Sequence, residues 1–341
     1  MGVNLTPIIK KQMLTLKDLA GKSLAIDANN ALHQFLSITR MADGSPFTDG
    51  QGNVTSHLIG LLFRSTRLIS EFAVRPIYVF DGEPPALKRR EIEKRRAVRA
   101  KAESEMAEAL RRGDLHTAFS KAVMTGRLTR EMIDDAKRLL HLLGIPYVQA
   151  PSEAEAQAAH MASHGHVWAA NSQDYDSILF GTPRLIRYVT IQGKEYLPSK
   201  GKARPLKPEL IELEDLLASL GVSREQIVDI AILIGTDFNE GVRGIGPKTA
   251  LKLIREHGSI ENLPDNTRSR VSEDFRKVRE VFLNPQVTLD FSTRFGPLRE
   301  KELCDFLCLQ KSFSRNRVEL AVERMRKSNT QSILLQWTER N

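Results

Sequence analysis

The chain has 341 residues, of which 41% are hydrophobic and 27% charged, with a formal net charge of +8. This is ordinary globular material, long enough for one large or two smaller domains, and its positive balance favours polyanionic partners. No apolar stretch is long enough to span a bilayer, no secretory leader is evident, and two cysteines four apart, Cys304 and Cys308, make neither a disulfide framework nor a zinc ribbon.

Strand-like and helical runs alternate from the N-terminus to about residue 188. Residues 23–26 read as a strand that ends at Asp27, and 56–71 as a helix. Residues 77–80 form a second strand, ending at Asp81. The polar stretch 84–135 then breaks the rhythm and reads as a helical insertion standing off the sheet. Between Lys88 and Lys101 it carries eight basic and two acidic residues; Lys88 and Arg95, seven apart, share one helical face. Further along come a helix at 131–143, strands at 145–148, 167–170 and 185–188, and, from residue 207, a mostly helical pattern with apolar stripes at 210–220 and 224–234. The fold expected is therefore α/β: a mostly parallel, twisted sheet flanked by helices.

Seven carboxylates fall where these elements end: Asp27, Asp81, Glu153, Glu155, Asp174, Asp176 and Asp237. Ligands of open α/β sheets bind beyond the carboxyl ends of the strands. Acids gathered there would repel each other and some would take up protons, a conflict that hard divalent cations with oxygen ligands resolve. Each local pattern has a plainer reading. Ser152 with Glu155 matches a capping box, Asp174 and Asp176 an Asp-rich turn, and Asp237 a helix cap.

The segment 241–250, Gly-Val-Arg-Gly-Ile-Gly-Pro-Lys-Thr-Ala, superficially looks like a Walker A loop. Pro247 separates Gly246 from Lys248, and a helix precedes the loop, which excludes that motif. A glycine turn into a helix starting at Pro247 leaves amides that can hold a phosphate oxygen, with Arg243 and Lys248 beside them. The tail, from residue 327, carries Gln331, Leu334 and Trp337 at spacings that suit a helical turn docking into an apolar groove.

Over nearly its whole length the chain resembles the flap endonucleases of the structure-specific 5′-nuclease superfamily, most of all the archaeal members. The resemblance rests on Ile26-Asp27-Ala28, Val79-Phe80-Asp81-Gly82, residues 150–156, Asp174-x-Asp176, Gly235-Thr236-Asp237 and residues 243–248. It implies a nuclease core over 1–326, with a helical arch at 84–135 and a helix–two-turn–helix region at 223–262, then a clamp-binding tail at 327–341. It also implies two Mg²⁺ or Mn²⁺ ions among the seven acids, and Lys88 and Arg95 on the scissile phosphate, with Asp81 between metal and catalysis. Gly2 and His33 would lie beside the substrate, as would Glu153, Gly235 and Asp237. The DNA backbone would be held by Arg243, Gly244, Gly246, Lys248 and Thr249, with K⁺ at the same loop.

The function implied is cleavage of branched DNA with a 5′ flap, with 5′–3′ exonuclease action, in Okazaki fragment maturation and repair. The protein would be monomeric and off the membrane, cytoplasmic in an archaeon or nuclear in a eukaryote, and bound to the sliding clamp (PCNA) through Gln331, Leu334 and Trp337. A PIN-type ribonuclease or a non-catalytic junction scaffold is the alternative. Two positions depart from the family pattern: His33 replaces a base-stacking tyrosine, and Thr338 follows Trp337 where two aromatics are usual.

Overall fold

The computed structural model describes residues 2–41, 44–114, 117–118, 120–121, 125–191, 194–197 and 202–338. Its centre is a seven-stranded sheet ordered β1-β9-β6-β5-β2-β3-β4. The strands are β1 (Gln12–Met13), β2 (Ser23–Asp27), β3 (Arg75–Phe80), β4 (Tyr147–Gln149), β5 (Ala169–Asn171), β6 (Arg184–Arg187) and β9 (Glu209–Glu212). β4-β3-β2-β5-β6 are parallel, whereas β9 runs opposite to them and pairs antiparallel with both β6 and the edge strand β1. A separate hairpin joins β7 (Lys194–Leu197) to β8 (Lys202–Pro205).

The central strands are apolar on both faces because both faces are covered. Leu24 and Ile26 of β2, with Tyr78 and Phe80 of β3, face a core shared with α1 (Ala28–Ile38), α2 (Ser56–Phe72) and α4 (Arg130–Leu142). The intervening Ala25, Ile77 and Val79 face a second core, filled by Ala154, Ala158 and Met161 of α5 (Ala154–Ser163). Each fully buried Leu, Ile or Phe there contributes roughly 1.5–3 kcal/mol. Val3 and Leu5 enter a third core, with α6 (Asp176–Leu179), α7 (Leu213–Leu220), α8 (Arg224–Ile234) and α9 (Pro247–His257); α10 (Asp265–Arg268) and α11 (Phe275–Leu283) follow. Cys304, at the end of α12 (Glu300–Cys304), and Cys308 pack against the first core.

Several expected boundaries move. The strand expected at 145–148 begins at Tyr147, since Pro146 has no N–H to give the ladder. That expected at 167–170 is Ala169–Asn171, because Trp168 sits before it with its ring beneath Lys22 and Arg184. The strand at 185–188 stops at Arg187, where Tyr188 turns to φ 61°. The helix expected over 210–220 splits: Glu209–Glu212 is strand β9, and α7 starts at Leu213. Pairing with β6 wins there, because it buries Leu210 and Ile211 and places Glu209 against Arg187.

Residues 84–135 hold α3 (Arg89–Arg111), of which only Ala102 and Ala109 are buried. The chain folds back along it, with Ala118 buried and Lys121 Nζ 2.5 Å from Glu105. The core resumes at Arg130, capped by Thr129. The last helix, α13 (Arg315–Thr338), packs Val318, Ala321, Val322 and Met325 on the core and runs on across residue 327. Among the described residues no helix is long and apolar enough to cross a membrane.

Arg279 on α11 clamps the all-helical part. It forms two 2.8 Å bonds to Asp229 of α8, which is 2% exposed, and two 2.9 Å bonds to Glu261. Removing one partner strands a buried charge. Arg279→Met is expected to lower the unfolding free energy by about 3 kcal/mol, as measured by urea denaturation.

Candidate active site

The seven acids meet at the carboxyl end of the parallel strands. Asp27 closes β2 and caps α1, accepting from Asn30 N at 2.9 Å. Asp81 follows β3, and its Oδ1 accepts from Ala154 N, the first amide of α5, at 2.7 Å. The capping box expected from Ser152 and Glu155 is therefore not formed: Asp81 caps α5 from outside, and Glu155 takes a 3.2 Å bond from Ser177 Oγ instead. This cap demands that the chain after β3 run against residues 150–152. Gly82 N donates to Ser152 O at 2.6 Å, and a Cβ on Gly82 would lie 2.3 Å from Ala150 O.

Asp174 lies in the turn after β5, where Ser172 Oγ accepts from its amide and Asn30 Nδ2 donates to its carboxylate. Asp176 opens α6 and accepts from Val3 N at 2.8 Å. The N-terminal segment thus lies against this turn. Gly2 is so close that a Cβ would fall 2.7 Å from Asp176 Oδ1 and 2.9 Å from Asp174 Cβ, and its φ is +31°.

Burial and mutual repulsion set the electrostatics. Asp27, Glu153, Glu155 and Asp176 are buried, while Asp81 opens to the cleft. Burial, then Asp81 and Asp174, hold the Asp27 carboxyl well above its ordinary range. Burial, then Asp176, Asp174 and Asp27, do the same to Glu155. Asp176 is pushed up to about 7 by burial, then Asp237 and Asp174. As the side chains stand, no three His, Cys, Asp or Glu among the described residues converge tightly enough to hold one ion. The donor chemistry nonetheless fits a hard divalent cation. All seven donors are carboxylates, and their mutual repulsion is what a cation between them would relieve. Asn29 Oδ1, beside Asp81, is a further buried oxygen without a partner.

Two cations from the insertion roof the nest. Lys88, just before α3, pairs with Glu153 and lies 3.6 Å from Asp237. Although desolvation opposes it, the attraction of Glu153, then Asp237 and Asp81, raises the Lys88 pKa and keeps the ammonium charged. Arg95 grips both carboxylate oxygens of Asp237 at 2.8 and 2.7 Å. His33 is exposed on α1; partial desolvation, then Arg99 and Arg95, lower its pKa, so it presents a neutral ring toward the basic helix.

Asp237 links this nest to the loop between α8 and α9. Gly235 bends the chain after α8 at φ 108°. Arg243, Gly244, Gly246, Lys248 and Thr249 are all exposed, and α9 begins at Pro247 with Gly246 as its cap residue and no side-chain cap. No side chain caps the first amides of α9, which follow the exposed Arg243 in the chain and include that of the exposed Lys248. The side chains of Gln331, Leu334 and Trp337, on the last turns of α13, lie outside the described residues.

Some residues of the site carry no pattern in the sequence. Asn30 could have been suspected from its place just after Asp27. Gln149, whose Nε2 donates to Asp81 O at 2.8 Å, and Val3, which donates through its backbone, had no such signal.

A carboxyl with a raised folded-state pKa favours folding while protonated and opposes it once ionised. Metal-free stability from this cluster is thus present below about pH 4 and lost as pH rises through about 7 for Asp176. Magnesium relieves only the ionised nest. The rise in Tm on replacing EDTA with Mg²⁺ is expected to be larger at pH 8 than at pH 6, and to shrink in Asp176→Asn, by calorimetry; equal rises would contradict the assignment.

Known proteins converge on the same reading. The XPG N-terminal domain matches residues 1–102 and the XPG I-region residues 144–237. Flap endonuclease 1 of Caldivirga maquilingensis is 49% identical over 96% of each chain. The solved flap endonuclease-1 from Methanococcus jannaschii superposes with TM-score 0.77 at 38% identity, covering 97% of this chain and all of that one. The catalytic core of Rad2 in complex with DNA substrate shares the fold, with TM-score 0.66 at 24% identity over 94% of this chain and 96% of its own. Identity of this order, sustained from end to end, makes the chain a member of the flap endonuclease family.

Proposed function

We propose that this chain is a structure-specific 5′ flap endonuclease with 5′–3′ exonuclease activity, hydrolysing the phosphodiester near the junction of single strand and duplex. The observation that carries the reading is the nest itself: seven carboxylates from five parts of the chain, roofed by Lys88 and Arg95 and continued by the exposed loop 243–249. Asp27, Asp81, Glu153, Glu155, Asp174, Asp176 and Asp237 would hold two Mg²⁺ or Mn²⁺ ions, directly or through water. Bound there, the ions would supply activation of the attacking water and neutralisation of the leaving oxygen.

The protein's own groups do the rest. Lys88 and Arg95 are engaged with Glu153 and Asp237 in the free protein. A phosphate entering the nest offers them a competing anion, and their charge offsets the surplus of the acids as the transition state forms. The amides at the start of α9, with Arg243 and Lys248, grip duplex phosphates without reading bases; K⁺ would share that loop. The insertion, whose Lys88 and Arg95 reach the nest, would cover a single-stranded 5′ end, and His33 would offer it a neutral ring to stack on. In the cell the reaction would serve Okazaki fragment maturation and repair, with Gln331, Leu334 and Trp337 docking the tail on the sliding clamp.

The direct test incubates labelled 5′ flaps, nicked duplex and single strands side by side with Mg²⁺. Cleavage of the flap near the junction is expected, and exclusive cleavage of single strands would contradict the reading. Asp81→Ala should abolish cleavage yet bind flap DNA within a few-fold of the unmodified protein, by fluorescence anisotropy in Ca²⁺. Lys88→Met should slow cleavage about 10²–10³-fold. Flap affinity should fall steeply between 50 and 200 mM salt, by roughly 10³ or more; a flat response would sink the phosphate-clamp picture.

A further inference from the structure

The turn that carries Asp174 and leads into Asp176, the first residue of α6, has no regular structure of its own to fix it. It runs between β5 and α6, and its two acids repel their neighbours. Something must oppose that repulsion when the site is empty and keep both carboxylates in register when it is filled. One side chain, outside every motif of the sequence, grips the turn from behind. Arg187 at the end of β6 is 9% exposed. Its Nε donates to Gln173 O at 2.9 Å, and its Nη1 to Tyr175 Oη at 2.6 Å. Its guanidinium also lies 4.2 Å from the centre of the Tyr175 ring. Gln173 and Tyr175 flank Asp174, and Tyr175 precedes Asp176.

The fork is itself held in place. Nη2 donates to Tyr188 Oη at 3.0 Å, and Nη1 lies 3.2 Å from Glu209, which is 1% exposed on β9. Lys11 reaches the other oxygen of Glu209 at 2.6 Å, and Thr6 Oγ1 lies 3.4 Å from Tyr175 Oη. The network therefore joins the acidic turn to the edge of the sheet and to the N-terminal segment whose Val3 amide holds Asp176. A planar five-donor fork can meet these acceptors at once, which a lysine cannot.

We propose that Arg187 is a positioning residue of the metal nest: it sets the spacing of Asp174 and Asp176 through Gln173 and Tyr175, with Glu209 as its counter-charge. This assignment rests on the reading of the nest as a divalent-cation site. Groups that orient metal ligands in this way typically govern affinity for the ion by 10–100-fold.

The test compares three full-length variants with the unmodified chain. Arg187→Met removes the fork, Arg187→Lys keeps the charge opposite Glu209 without the fork, and Tyr175→Phe deletes only the hydroxyl acceptor. Arg64→Met is the structural control: Arg64 is equally buried and binds Val189 O and Ile191 O, away from the acids. Mn²⁺ affinity is read by titration calorimetry, the Mg²⁺ requirement by flap cleavage, and stability by melting in EDTA. Arg187→Met is expected to weaken Mn²⁺ binding and raise the half-saturating Mg²⁺ by roughly tenfold or more, with no rescue by lysine and a smaller loss in Tyr175→Phe. Arg64→Met should lower Tm and leave Mn²⁺ affinity unchanged. Unchanged Mn²⁺ affinity in Arg187→Met, or full rescue by Arg187→Lys, would overturn the proposal. Should Arg187→Met not fold, unchanged Mn²⁺ affinity in Tyr175→Phe would overturn it instead. Absence of Mn²⁺ binding by the unmodified chain would remove the cation-site reading itself, a result distinct from failure of the Arg187 variants alone.

Discussion

Repulsion among buried carboxylates is the constraint around which this molecule is built. Asp27, Glu155 and Asp176 are each pushed upward by burial and by neighbouring carboxylates, with Asp174 among them in every case. The fold opposes that cost with neutral donors from different parts of the chain: Asn30 N, Ser177 Oγ and Val3 N. Such donors orient the oxygens without neutralising them. The nest keeps its negative potential, and a divalent cation bound there would gain what the folded protein alone forgoes.

The formal cations of the site are placed differently. Lys88 and Arg95 engage Glu153 and Asp237 rather than Asp27, Glu155 or Asp176. Both come from the insertion, whose long helix α3 is largely exposed, so the roof can shift without breaking a core. Asp237 belongs to the connection that leads from α8 into the loop 243–249. A single carboxylate thereby links Lys88 and Arg95 of the insertion to the connection that continues into the exposed loop 243–249. A phosphate that competed for Arg95 would be felt at that connection as well.

Much of this was legible in the sequence, because apolar runs end abruptly. Leu24-Ala25-Ile26 and Ile77-Tyr78-Val79-Phe80 alternate between two cores, and the acid after each run marks the carboxyl edge of the sheet. The stripe of α8 and the Pro247 start of α9 were equally plain. What stayed hidden depends on partners distant in the chain. Ser152 and Glu155 satisfy the local rule for a capping box, yet Asp81, far away in sequence, takes the cap and frees Glu155 for the nest. Glu209 fell within the stretch from residue 207 that was expected to be mostly helical; its role beside Arg187 exists only once β6 and β9 pair. Local pattern locates the acids, whereas tertiary contacts decide what each one binds.

The most direct measurement is an anomalous difference map from crystals of the unmodified protein soaked in Mn²⁺ with 5′-flap DNA. Two peaks within the nest bounded by Asp27, Glu155, Asp174 and Asp176 are predicted. Anomalous density found only elsewhere on the molecule, with the nest free of it at saturating Mn²⁺, would contradict the account.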